Sequence, residues 1–380
     1  MFTDSWNLMN TSLKKSQWTT AHGRLPSAFR LLPSALCLVP SAFRLLPSAF
    51  CLLLSGCAGV QSSLDPAGPQ ADHIARIWWL MLFILSAIFV IVMALLALAT
   101  WRRRASADNE TELILKPEAG GESRMSTLVT TGVVITVFVL FILLISSFLT
   151  GRSLHSLAAS NPQPLTIDIT GQQWWWQVKY ENDMPSQMVT TANEIHIPVG
   201  RIVQFKLKSN DVIHSFWVPN LHGKTDLIPG HVAATWIRAD RPGIYRGQCA
   251  EFCGHQHAHM AFTVVVETEE QFKHWYDAQL LAAAQPANTQ LARGQQVFMT
   301  STCIMCHRIQ GTDAGGAVGP DLTHVASRLT IAAGTLANTR DNLANWILDS
   351  QAIKPGNRMP PNPLNTEDLS ALLDYLQSLK

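Results

Sequence analysis

The stretch Cys249-Ala-Glu-Phe-Cys253-Gly-His-Gln-His257-Ala-His-Met260 sets two thiols four residues apart and follows them with imidazoles and a thioether. Thiolate, imidazole and thioether are soft donors, and together they favour copper over hard cations. Neighbouring thiolates can bridge two metal ions, and each ion then needs one imidazole and one weak axial donor. One histidine must come from elsewhere in the chain. Asp211-Val-Ile-His214-Ser-Phe-Trp-Val-Pro219 supplies it, on what reads as a strand edge running into a turn. Spacing alone leaves His222, His231, His255 and His259 open as competing ligands. A zinc site would want four Cys/His ligands in two pairs and would leave Met260 without a role. A disulfide between the two cysteines would leave His214 without one.

The sequence on either side of this stretch reads as β. Thr166-Ile-Asp-Ile-Thr170 alternates, Ile195 to Lys208 reads as strand, turn, strand, and Thr235–Arg238 and Phe262–Glu267 are further β-branched runs. Short runs at that spacing argue an all-β sandwich or barrel over residues 160–268. Within it, Gln173-Trp174-Trp175-Trp176 reads as strand. Successive side chains on a strand alternate faces, so three consecutive tryptophans cannot all enter one core, and at least one is expected to be exposed or at an interface.

After Glu267 the composition changes. Glu269 to Ala284 reads as a helix, Gln285 to Gln290 as a polar linker, and Leu291–Thr300, Arg340–Asp349 and Thr366–Leu379 as helices of an all-α domain over residues 290–380. Inside that domain lies Cys303-Ile-Met-Cys306-His307, the attachment signature of a c-type haem, in which the two thiols form thioethers and the histidine ligates the iron. A thioredoxin-like pair is a poorer reading, because His follows directly and no βαβ pattern surrounds it. The sixth ligand should lie well downstream. Met305 is trapped inside the attachment loop and Met299 precedes it, which leaves Met359, in Asn357-Arg-Met359-Pro-Pro361.

Ile77 to Thr100 and Leu128 to Leu149 are apolar runs without charge, each longer than the roughly 20 residues that span a bilayer core, and they define a hairpin over residues 73–150. Trp78, Trp79 and Trp101 sit at the ends of the first run, as interfacial aromatic residues do. The connecting loop begins Trp101-Arg-Arg-Arg104 and ends near Arg124, whereas only Arg152 follows the second run, so the loop is expected inside and both ends outside. Residues 1–57 form a leader. From Arg24 it repeats Arg-Leu-Pro-Ser-Ala-Phe at a seven-residue period to near Cys51, too proline-rich for a helix and too short a period for a solenoid. It ends in Leu54-Ser-Gly-Cys57, which resembles the lipobox of bacterial lipoproteins. With a formal charge of +1 over 380 residues, nothing suggests a nucleic-acid partner.

His214 in its setting, Gly223-Lys-Thr-Asp-Leu-Ile-Pro-Gly230 and the Cys249–Met260 loop together resemble subunit II of haem–copper cytochrome c oxidases, over roughly residues 73–267. The resemblance implies a cupredoxin fold and a binuclear CuA centre. Cys249 and Cys253 would bridge both coppers, His214 and Met260 would complete one, and His257 and the Glu251 carbonyl the other. It also implies a magnesium ion reached by the Glu251 carboxylate at the interface with subunit I. In that family the first tryptophan of the aromatic cluster lies where electrons arrive from cytochrome c, which maps to Trp174. Residues 290–380 resemble small class I cytochromes c, with Pro320 of Gly319-Pro320-Asp-Leu322 supporting His307. The order of hairpin, copper domain and haem domain resembles the caa-type oxidases.

The resemblance implies a bacterial inner-membrane subunit with both soluble domains on the outer face. It would take electrons from an external cytochrome c or respiratory complex. It would pass them to a catalytic subunit that reduces oxygen to water and moves protons, since nothing in this chain resembles that multi-helix subunit. The electron-accepting subunit of a CuA-containing nitric oxide reductase would carry similar metals. A nitrous oxide reductase would need a histidine-rich propeller, which this sequence lacks. A stand-alone carrier would have no use for the Glu251 carboxylate and the hairpin. Quinol oxidase subunits lack the copper ligands.

Overall fold

The computed structural model describes residues 59–105, 119–159 and 164–380. The leader, Cys57 and most of the arginine-flanked loop lie outside the described residues. Helices α1 (Pro69–Ala105) and α2 (Ala119–Ala159) have 37 and 41 residues, hence lengths of about 55 and 60 Å. Both are long and apolar enough to cross a membrane. Side chains such as Phe83 and Phe138 are about two-thirds exposed along them. The segment before α1 lies on the β domain: Ala67 N donates to Asn220 O at 2.7 Å, and Arg246 N to Val60 O at 2.8 Å.

The β domain is a sandwich of two five-stranded sheets. Its strands are β1 (Leu165–Gln172), β2 (Trp175–Tyr180), β3 (Val189–Ala192), β4 (Glu194–Pro198), β5 (Ile202–Ser209), β6 (His214–Trp217), β7 (Thr225–Leu227), β8 (Ala233–Arg238), β9 (Gly243–Cys249) and β10 (Ala261–Glu267). One sheet runs β3-β2-β1-β5-β8 and the other β4-β10-β9-β6-β7. The β1–β5 and β4–β10 pairs are parallel. Alternation decides the faces. On β5, Val203, Phe205 and Leu207 enter the core, while Lys206 and Lys208 stay outside and pair with Glu181 and Asp168. Phe205, Phe216 and Phe262 stack through the middle, with centroids 5.1 and 4.7 Å apart.

Strand β4 is buried on both faces. Helix α3 (Glu269–Gln279) covers its outer side, started by a capping box between Thr268 and Gln271. There the His196 ring stacks on Trp275 at 4.1 Å and lies between two carboxylates, Glu194 at 3.1 Å and Glu267 at 3.2 Å. Burial opposes the charge on His196, but the hydrogen bonds to Glu194 and Glu267 outweigh it and raise its pKa.

Helix α3 ends at Gln279, five residues before the Ala284 expected from the sequence. The chain beyond it is drawn onto the next domain: Ala283 N donates to Gln310 O at 2.9 Å, and His324 Nε2 lies 3.1 Å from Leu281 O. That domain contains α4 (Thr289–Thr300), α5 (Cys303–Cys306), the short ladder β11 (Thr330–Ile331) and β12 (Leu336–Ala337), α6 (Arg340–Leu348), α7 (Ser350–Ile353) and α8 (Thr366–Ser378). Asn288, Thr339 and Asn365 cap α4, α6 and α8 with side-chain oxygens. Helices α4 and α8 cross at Gly294, where a Cβ would lie 2.0 Å from Ala371 O and 2.6 Å from Tyr375 Cβ.

Gly294→Ala must therefore separate the two helices. We expect a loss of about 1–3 kcal/mol or more from overpacking, read as a lowered melting temperature of the α domain while the β domain melts as before. A second expectation follows from His196. Its folded pKa is raised, so its contribution is complete below the unfolded value near 6.5 and is lost as pH rises through the folded value. Denaturant midpoints of the β domain should fall as pH rises above the unfolded value near 6.5, and His196→Gln should flatten that dependence.

Candidate metal and haem centres

The first centre sits where three backbone segments meet. His214 opens β6, Cys249 closes β9, and the loop between Cys249 and Ala261 carries the remaining donors. Cys249 N donates to Met260 O at 2.9 Å and Ala250 N to Ser215 O at 3.0 Å, so the loop is closed on itself and tied to β6. Gly254 adopts φ +110°, and a Cβ there would lie 3.0 Å from Trp174 Cζ2, which reserves the position for glycine. Gly171 has a similar role on β1, since a Cβ would reach within 2.8 Å of His214 Cδ2.

The donor atoms converge. Cys249 Sγ lies 3.7 Å from Cys253 Sγ and 3.9 Å from His214 Nδ1. Cys253 Sγ lies 3.6 Å from His257 Nδ1 and 3.8 Å from Met260 Sδ. The Glu251 carbonyl stands 3.2 Å from Cys249 Sγ. Donors bound at about 2.0–2.3 Å to one ion at tetrahedral angles are separated by roughly 3.3–3.8 Å, so the set fits shared metal ions without rearrangement. Both cysteines are free thiols and buried, as are His214 and Met260. His257 is half-buried, whereas His231, His255 and His259 are exposed. His222 is half-buried, and burial pushes its pKa down.

Electrostatics makes the same point. The Cys253 thiol donates to Cys249, which holds Cys249 far below the ordinary thiol range despite burial. The resulting thiolate pushes Cys253 up. Two adjacent buried thiols thus share one proton, and both ionise only beside a cation. His214 is oriented by Asp211, whose Oδ1 lies 2.8 Å from Nε2, leaving Nδ1 toward the sulfurs. Burial opposes charge on His214, but the hydrogen bonds to Cys249 and Asp211 raise its pKa. Asp211 also accepts from Gln173 N at 2.7 Å and Val212 N at 2.8 Å. No sequence motif assigns Asp211 a role; a carboxylate three residues before a candidate ligand is the one signal for it.

The second centre is an apolar cavity with Cys303, Cys306, His307 and Met359 on its walls. His307 Nδ1 donates to Pro320 O at 2.8 Å, and burial lowers the ring's pKa, so a neutral imidazole presents Nε2 for a metal. The attachment loop is wrapped so tightly that a Cβ at Gly319 would lie 2.7 Å from His307 Cε1, and one at Gly316 2.5 Å from the Cys306 carbonyl carbon. Met359 is fixed through its backbone: Ser350 Oγ and Gln351 Nε2 donate to its carbonyl at 2.6 and 2.8 Å, and Asn357 Oδ1 accepts from its amide at 2.8 Å. Met305, by contrast, is 71% exposed. Two thiols, an imidazole and a thioether around an apolar cavity fit a covalently held haem.

Trp174 is not in a strand; it lies in the turn between β1 and β2. None of the three is exposed. Trp176 is wholly buried against Phe262, Phe216 and His214, with centroids 5.3, 6.1 and 6.0 Å away. Trp174 is buried, and its Nε1 donates to Cys253 O at 2.9 Å. Trp174 and the half-buried Trp175 line the second cavity together with Cys303 and His307. The turn thus has one face on the thiol loop and the other on the cavity. Glu251 is half-exposed, and Lys224 Nζ lies 3.2 Å from its carboxylate.

Comparisons with known proteins find relatives of both parts of the chain. Residues 182–268 match the family model for the periplasmic domain of cytochrome c oxidase subunit II, and residues 291–380 match that for cytochrome c. The chain is similar to cytochrome c oxidase subunit 2 of Alkalihalophilus pseudofirmus, with 38% identity over 338 residues covering 86% of this chain and 94% of that one. It is similar also to the Bacillus sp. (strain PS3) subunit 2, with 29% identity over 296 residues, 74% of this chain and 80% of that one. A crystal structure of the periplasmic domain of subunit II of Bradyrhizobium japonicum cytochrome oxidase aligns at 30% identity, covering 31% of this chain and 95% of that chain, with a TM-score of 0.29.

Asp211→Asn keeps one acceptor oxygen of two, so it can hold Val212 N or Gln173 N but not both, a local loss at the turn that leaves the sandwich in place. We expect copper affinity to fall by about 10–100-fold in a metal titration, with an unchanged circular dichroism spectrum.

Proposed function

The chain belongs to the cytochrome c oxidase subunit II family, in the arrangement that carries its own cytochrome c domain, and from that premise we propose that it accepts electrons at a covalent haem c and delivers them through a two-copper centre to a separate catalytic subunit. When bound, the haem and the copper pair supply one-electron couples, and the oxygen chemistry and proton translocation belong to that other subunit. The observation that carries the reading is Trp174, which lines the haem cavity on one side and donates to the Cys253 carbonyl on the other, at 2.9 Å.

The chain's own groups have separable tasks in this reading. Cys303 and Cys306 would hold the haem by thioethers, with His307 and Met359 as the groups that would hold its iron; an imidazole with a thioether raises the iron potential, which suits a donor to copper. Cys249, Cys253, His214, Met260, His257 and the Glu251 carbonyl would together hold the two coppers, the thiolates as the shared anionic donors. Trp176, Phe216 and Phe262 keep water from the buried side of His214, and a dry, prearranged shell limits reorganisation when charge changes. Trp174 offers a short path from one cavity to the other.

The two apolar helices would anchor the chain in a bacterial inner membrane with both soluble domains on the outer face. Docking on subunit I follows from the family, and an external cytochrome c or respiratory complex would supply the electrons. A magnesium ion at Glu251 would have to displace the Lys224 ammonium, 3.2 Å away, so such an ion belongs to the assembled interface.

Metal and haem analysis of the purified complex tests the reading. Two coppers and one covalent haem per copy of this chain are expected, with a mixed-valence copper EPR signal. Cys249→Ser should abolish that signal and leave the haem spectrum intact. A single copper, or zinc in its place, would sink the binuclear assignment.

A further inference from the structure

The α domain is joined to the β domain by groups that a loosely tethered carrier would have no reason to bury. Lys354 is the C-cap of α7, just before the Met359 loop, and is 2% exposed. Its ammonium donates three hydrogen bonds, to Trp174 O at 2.7 Å, His259 O at 2.7 Å and Ala332 O at 3.2 Å. Two of these acceptors belong to the β domain, Trp174 in the turn between β1 and β2 and His259 in the thiol loop. The third belongs to the α domain. An ammonium out of water is costly unless its protons are all taken, and here three carbonyls take them. Burial still pushes it down to about 7.

A reciprocal contact crosses in the other direction. Glu194, on β4, is 5% exposed, and its Oε2 accepts from Leu329 N of the α domain at 2.8 Å. Backbone completes the seam: Ala261 N, directly after Met260, donates to Ala333 O at 2.9 Å. Gln256 Nε2 donates to Pro355 O at 2.7 Å.

We propose that Lys354 is a positioning residue that seats the α domain permanently on the Trp174 turn, so that transfer between the two centres proceeds within a fixed complex and without a docking step. The inference rests on the functional reading above and goes beyond it, because that reading holds equally for a domain that swings on its linker. Lys354 makes and breaks no bond. It fixes the separation across which one electron leaves one centre and reduces the other.

The test uses the full chain in its purified native complex, loaded with copper and haem, and the rate of electron transfer from haem to copper after rapid photoreduction of the haem. In the wild type the rate should be independent of added viscogen and of ionic strength, as expected when no encounter is needed. Lys354→Met keeps the length of the side chain but leaves three carbonyls without their donor. It should slow the transfer by about tenfold or more and make it fall with viscosity, with copper content, EPR signal and haem spectrum unchanged. A wild-type rate that itself falls with viscosity overturns the proposal, and this measurement stands even if the variant does not fold. A variant that transfers at the wild-type rate with both centres loaded also overturns it. Absence of either centre from the wild type overturns the functional reading, and this inference with it.

Discussion

Two hydrogen bonds converge on the carbonyl of Cys253: one from Gln173 Nε2 at 2.8 Å, the other from Trp174 Nε1 at 2.9 Å. That carbonyl belongs to the thiol loop, and both donors belong to the turn joining β1 to β2. The position of the turn thereby fixes the position of a candidate bridging cysteine, and the reverse. Asp211 ties the same turn to His214 through Gln173 N. Because the turn also walls the haem cavity, neither centre can shift without moving the other. The sandwich serves mainly to hold three remote segments, 171–176, 211–217 and 249–260, in this one arrangement.

Burial of charge tells a consistent story along the seam between the domains. A buried ammonium or carboxylate destabilises the fold unless every proton or lone pair is satisfied, and such groups survive where they specify one geometry. Lys354 and Glu194 each reach their partners across the seam. Apolar packing alone would tolerate sliding by an ångström or two, since its energy depends on area rather than direction. Directional bonds to Trp174 O, His259 O and Leu329 N do not.

How far this was legible in the sequence divides along a physical line. The donor sets were legible because metal and haem chemistry compresses ligands into short spacings: Cys249 to Met260 in one loop, Cys303 to His307 in another. The hairpin was legible because a bilayer demands long uncharged runs. The tryptophan cluster was misread as continuous strand; alternation describes strands, and Trp174 lies in a turn whose conformation is set by acceptors at Cys253 and Asp211. Helix α3 was drawn too long, because helix propensity in Ala282–Ala284 loses to the hydrogen bond between Ala283 N and Gln310 O. Lys354 gave no signal at all. Its partner Trp174 is 180 residues away, and a lone lysine in a loop reads as a solvated charge.

The linker between the domains completes the argument. A flexible tether gives a carrier an effective concentration in the millimolar range, and each transfer then waits for a productive encounter. Here the linker is not free. Ala283 N is held by Gln310 O, and Leu281 O lies 3.1 Å from the buried His324, whose Nδ1 lies 2.8 Å from Lys380 O. The same stretch that connects the domains is thus part of the α domain's own structure. Fusion with an ordered linker replaces a diffusional step by a fixed distance. It also leaves Trp174 buried in the seam, 8% exposed, where both domains meet it.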